Sequence, residues 1–234
     1  MTQPSAAELA TDFVRLNEFL RAGGDRAAAL RRLVGLAVAA VPGCDWAAVT
    51  AWPDKAQPHS LAHSDDIALT TDQLQYDAGD GPCLRVAGEA TVHVADLTGD
   101  DRWPAFRAAA LARAPVRGVL SFPLTERLDR SALNLYSARP WAAGSAALTT
   151  ASLFAAHARV LLLHAEAHAR AAQLAEALTT SRRIGAAVGI LMSVHKVTAE
   201  EAFALLRLTS QHLNRKLILV ADDVTRTGSL PPTE

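Results

Sequence analysis

The stretch "RRIGAAVGILM", Arg182 to Met192, opens with two arginines and then turns almost wholly apolar. Gly185 and Gly189 sit four residues apart in it, on one face of a helix. An interior glycine costs a helix about 1 kcal/mol relative to alanine, so the pair asks for a reason. Three compete: a membrane dimerisation motif, a close helix–helix contact, or a smooth surface for a bulky ligand. The apolar part, Ile184 to Met192, falls far short of the ~18 residues a membrane-crossing helix needs. No other stretch is read as approaching that length without charge, which removes the membrane motif.

Toward the C-terminus, "KVTAEEAFALLRLTSQHL" begins with Thr198-x-x-Glu201, the pattern of a capping box, and Ala202, Phe203, Leu206 and Leu213 give it a buried stripe. "NRKLILVADDVTRTG" follows, with Asn214 as N-cap, Leu217, Val220, Ala221 and Val224 at helical spacing, and Gly228 as the terminating residue. Residues 181–230 therefore read as a bundle of three helices.

Upstream, residues 145–180 contain no Gly or Pro. Leu153, Val160, Ala167 and Leu174 recur every seven residues, and His157, His164, Ala171 and Leu178 form a companion row. The pattern predicts a long helix that packs on a twin as a coiled coil or back onto its own chain. His164 and His168 are one turn apart, but no cysteine or third histidine stands at ligand spacing, and no metal is expected.

Residues 10–144 mix helix and strand. Helices are expected over 12–21, 26–41 and 103–114, and strands over 44–52, 60–64, 91–97, 116–124 and 131–137. The charged "TERLDR" reads as the turn between the last two strands. This order is not a strict βαβ alternation and predicts an α+β fold with an antiparallel-rich sheet flanked by helices.

Net charge is −1, which gives no global reason to expect nucleic acid or membrane. The balance is local instead: Ser181–Lys216 holds six basic residues against two acidic ones, +4. Arginine and lysine at helix ends, with Ser210, Gln211 and Asn214 between, suit phosphate and base-edge contacts. Cys44 and Cys83 are the two cysteines, read as reduced thiols in a cytoplasmic protein or as a redox pair. The N-terminus lacks the basic start and apolar run of a signal peptide. No Walker loop, HExxH or GxGxxG motif supports an enzyme.

The run from Arg182 to Val224 resembles the ANTAR module of actinobacterial antitermination regulators over nearly its full length. Residues 76–83, 100–106, 118–124 and 132–137 resemble the GAF domains that precede such modules. The resemblance implies a sensory GAF domain over 10–144, a helical linker over 145–180 and a three-helix RNA-binding ANTAR bundle over 181–230. It implies a non-enzymatic homodimer that stabilises paired stem-loops in nascent RNA and so lets transcription continue. Arg182, Arg183, Ala187, Gly189, Lys196, Arg207, Asn214, Arg215 and Lys216 are then the expected RNA contacts. The family often has lysine where this chain has Val188, so a dimeric adaptor whose module binds protein is the alternative.

For a small molecule in the GAF part, Trp46, Cys83, Trp103, Phe122 and Tyr136 are the candidate pocket residues, and no bound cofactor is marked. "GDGPC" (79–83) reads first as a tight turn entering a short helix; the functional alternative is a reactive Cys83 thiol at a helix N-terminus, where the dipole lowers its pKa.

Overall fold

Ser5 begins the first helix. Its hydroxyl caps the Glu8 amide, and the Glu8 carboxylate takes the Ser5 N–H at 2.7 Å, a reciprocal box that starts α1 (Ala6–Arg21) earlier than its apolar spacing indicates. Asp25 caps α2 (Arg26–Ala40). The computed structural model describes residues 4–53, 57–86, 91–125 and 129–232.

β1 (Trp46–Pro53) and β2 (His59–His63) pair antiparallel, as their sequences predict. α3 (Asp66–Ala78) comes next and is absent from the sequence reading. Thr71, Asp72 and Gln75 occupy its buried face, so polar residues stand where an apolar stripe is sought. The short α4 (Pro82–Arg85) follows "GDGPC", and then come β3 (Val92–Val94) and α5 (Pro104–Arg113), with Pro104 in the tolerated first turn. β4 (Gly118–Thr125) and β5 (Asp129–Ser137) pair with each other; the core of the expected "TERLDR" turn, 126–128, lies outside the described residues.

The sheet has five strands in the order β2-β1-β5-β4-β3, every pair antiparallel. Side chains alternate between its faces. Ala47, Val49, Leu120, Phe122, Leu124, Leu133 and Leu135 meet α1, α2 and the start of α6 on one face. Ala48, Trp52, Val119, Ala132 and Tyr136 meet residues of α3 and α5, among them Ala68, Leu74 and Phe106, on the other. The fold is α+β with an antiparallel sheet between helical layers.

α6 (Ser145–His195) is one continuous helix of 51 residues. It corrects the expectation that no segment has membrane-crossing length and composition: by those two measures alone, α6 is long and apolar enough. One side of that segment is buried in the fold and the rest is not. Ala147, Ala151, Phe154, Ala158 and Leu161 are buried in the first core layer. His157 stacks on Phe13 of α1 at 3.8 Å between ring centroids. The heptad row of Leu153, Val160, Ala167 and Leu174 is exposed.

The chain divides into two compact units, Met1–Ala165 and Glu166–Glu234. In the second, the last part of α6 packs with α7 (Ala199–His212) and α8 (Leu217–Thr227) around Ala187, Leu191, Ala202, Leu206, Val220, Ala221 and Val224. The capping box of Thr198 and Glu201 forms as expected, and Gly228 ends α8 at φ 76°. Two expectations are corrected. Phe203 lies outside the buried stripe, 43% exposed. Asn214 does not cap α8, whose N-cap is Lys216. It sits instead at φ 47° just past α7, where the Asn214 N–H reaches the Gln211 carbonyl and the Arg215 N–H reaches the Ser210 carbonyl. This is a Schellman closure, and asparagine is the usual substitute for glycine in it.

Candidate nucleic-acid interface and interior polar cluster

The nine residues expected to meet RNA divide by what already holds them. Arg182, Lys196, Arg207 and Lys216 are exposed and make no ion pair among the described residues. Arg183 is engaged: its guanidinium clamps Asp222 of α8 through two nitrogens, with Nε to Oδ1 at 2.7 Å. Arg215 reaches Asp223 at 2.9 Å, and Arg226 shares that carboxylate, which the two guanidinium groups hold below its ordinary pKa. Asn214 is exposed, but its residue type is explained by its left-handed backbone. Ala187 is corrected outright. It has no exposed surface and belongs to the core of its unit, because it faces inward while Gly185 and Gly189 face out.

Gly185 and Gly189 are open. A Cβ on either would meet nothing within 4 Å outside its own helix turn. Close packing within this unit is therefore not why the glycines are there. Val188 is half-buried against the unit's core.

In the first unit, Trp46, Cys83, Trp103 and Tyr136 gather on the α3 side of the sheet. Phe122 does not join them. It alternates to the opposite face and packs in the other core layer. What the α3 side holds is a polar cluster that the aromatic residues alone did not reveal. The Asp72 carboxylate is fully buried and takes hydrogen bonds from Thr50 Oγ1 at 2.9 Å, Ser60 Oγ at 2.6 Å, Asn134 Nδ2 at 3.0 Å and the Tyr136 hydroxyl. Burial nevertheless pushes its pKa up, since no cation accompanies it in the cluster. Gln75 links Tyr136, at 3.0 Å, to the backbone N–H of Cys83, at 2.8 Å. Ser121 and Asn134 are paired across β4 and β5, and Ser121 Oγ and Asn134 Oδ1 have no partner among the described residues. The donation of Asn134 to Asp72 fixes which way its amide points and leaves that oxygen facing away from the carboxylate.

Both cysteines are free and buried. Burial and the neighbouring Asp72 raise the Cys83 thiol well above its ordinary pKa, which overrides its place at the start of the four-residue α4. Burial pushes Cys44 up to about 12. Cys44 belongs to the first core layer, whereas Cys83 sits under α3.

The family model for the ANTAR domain matches residues 172–224. This segment is an ANTAR domain. The first unit has the GAF-like fold. It resembles the GAF domain of a phosphoenolpyruvate-protein phosphotransferase from Coxiella burnetii, at 16% identity and TM-score 0.52, over 71% of this chain and 99% of that one. The corresponding Acinetobacter domain gives 17% identity and TM-score 0.51 over 70% and 97%. Free methionine-R-sulfoxide reductase from Neisseria meningitidis, in complex with its substrate, gives 13% and 0.52 over 72% and 96%. At these identities the likeness is one of fold. None of the curated proteins matches the chain in sequence.

The ANTAR match covers the whole of α7 and the open glycine strip of α6. Because nothing in the domain fills the space beside that strip, Gly185→Ala and Gly189→Ala are each expected to stabilise the ANTAR domain, by about 1 kcal/mol in chemical denaturation. If the strip instead accommodates RNA, hairpin affinity falls while stability rises. A loss of stability in either variant would show that the added methyl is not free.

Proposed function

We propose that the chain is an RNA-binding antitermination regulator, in which the GAF-like unit senses a signal and the ANTAR domain stabilises paired stem-loops in nascent RNA. The observation that carries this is the ANTAR match over 172–224 on a surface where Arg182, Lys196, Arg207 and Lys216 stand exposed without carboxylate partners. Unpaired cations meet phosphate without first breaking an ion pair. Action as a homodimer is supported by the exposed heptad row of α6, Leu153, Val160, Ala167 and Leu174. In the GAF-like unit, the unpartnered Ser121 and Asn134 oxygens beside Asp72 are the polar groups that a small ligand would meet. The protein then works in the cytoplasm, where nascent RNA is made, and catalyses no reaction itself. Two buried thiols with raised pKa, set on different sides of the sheet, give no support to a thiol reductase.

Gel-shift titration with tandem hexaloop hairpins over a salt series tests the proposal. Retardation at low salt is expected, and Arg182→Ala and Lys216→Ala are each expected to reduce the logarithmic salt slope by about one unit. No retardation by folded protein overturns it. Arg183→Glu is a poor probe, since it sets a carboxylate against Asp222 and disturbs the fold as well. A second reading, an adaptor whose ANTAR domain binds protein, is favoured by one observation. Val188, where relatives often carry lysine, is half-buried and apolar.

A further inference from the structure

α7 inverts the usual preference of a small helical core. Thr209 is buried, at 6% exposure, while Phe203 is 43% exposed. Phe203 is also the one Phe, Tyr or Trp in residues 166–234. The core of this unit is built from Ala, Leu and Val. A bundle that has one large ring and leaves it outside a core of aliphatic side chains keeps much of that ring free for another contact.

What shares the ring's face indicates what it is for. Arg207 and Gln211 follow Phe203 at intervals of four residues, so the three form one row on the helix surface. Arg207 and Gln211 are exposed, and their side chains have no ion pair or hydrogen bond among the described residues. The row presents a π face, then a planar guanidinium, then a carboxamide. Glu200, on the same side one turn earlier, is exposed too, which disfavours a run of phosphates at this end and leaves a base as the better partner.

We infer that Phe203, Arg207 and Gln211 form a base-reading row on α7, with Phe203 stacking against an unpaired loop base of the RNA hairpin. The inference rests on the RNA-binding reading proposed above and adds the residues that distinguish a loop from a duplex. Unpaired bases are recognised by stacking on aromatic rings or guanidinium planes and by hydrogen bonds to their edges, and Gln211 supplies both a donor and an acceptor for such an edge. Duplex RNA, whose bases are stacked on one another, has no free face to offer.

The test uses the full chain and tandem hairpins carrying a fluorescent purine analogue at successive loop positions. Wild type is expected to quench the analogue at one position. Phe203→Leu, which keeps an apolar side chain and loses the π face, is expected to abolish the quench and weaken binding about five- to a hundredfold. Phe203→Tyr is expected to keep both. Quench and affinity unchanged in Phe203→Leu overturn the inference and leave the RNA-binding reading intact. A changed oligomeric state with unchanged RNA affinity also overturns it, and assigns the ring to a protein contact. Failure of wild type to bind any hairpin removes both.

Discussion

Asp72→Ala is expected to lower the stability of the first unit by about 2–4 kcal/mol, read from the shift of its transition in urea. The carboxylate is the common acceptor of four side chains, and they differ in what they can do without it. Thr50 and Ser60 already contact the Tyr76 hydroxyl, at 2.8 and 3.1 Å, and can re-pair there. Asn134 Nδ2 keeps its bond to Thr50, at 2.9 Å. The Tyr136 hydroxyl, fully buried, loses its acceptor. A cavity is added to that orphaned donor. Recovery of the cost of burying a carboxylate keeps the loss from being larger.

The same residue gives a pH signature with a definite sign. Its folded-state pKa is raised above the unfolded value near 3.8 because burial disfavours the charge. The folded state therefore binds the proton more tightly, and its contribution is fully present below the unfolded pKa and lost as pH rises through the folded one. Against Asp72→Asn, which cannot titrate there, wild type is expected to gain relative stability as the pH falls from neutrality. A flat difference between the two across that range would mean that Asp72 does not change protonation on folding.

Leu206→Ala is expected to abolish the folded ANTAR domain and with it hairpin retardation, while the first unit keeps its transition. Truncating a fully buried leucine costs about 2–5 kcal/mol. Here the core that must absorb it consists of seven fully buried side chains, of which Leu191 and Leu206 are the largest. So small a unit has a stability near the low end of the common 5–15 kcal/mol range. Circular dichroism and gel shift of the variant check this, and retained RNA affinity would show that the domain is held by more than its own core.

The sequence was legible where one signal had one cause. The capping box at Thr198, the glycine at 228 and the strands β4 and β5 all appear where local chemistry predicts them. It misled where one residue type served two ends. α3 hid because its inward face carries Asp72 and Gln75 of the polar cluster, and Thr71 bonded back to its own helix, so polar residues erase the helical period. The spacing of Phe203 with Ala202 and Leu206 predicts a place in the buried stripe that the ring does not take. Asn214 resembled an N-cap for α8 but closes α7. The pairing of Arg183 with Asp222, across 39 positions, has no local trace. Charge can be counted from a sequence, but whether a charge is free is decided by the fold.

The separation into two units has an optical consequence. Trp46, Trp52, Trp103 and Trp141, with Tyr76 and Tyr136, all belong to Met1–Ala165, and they are all of the tryptophans and tyrosines in the chain. Intrinsic ultraviolet emission therefore comes entirely from the GAF-like unit. Melting or RNA occupancy of the ANTAR domain is silent by that signal unless it alters the other unit. A shift in emission wavelength on adding RNA to the unlabelled protein, which absorption of the exciting light by RNA does not produce, would thus report a change in the GAF-like unit, with no dye and no substitution needed.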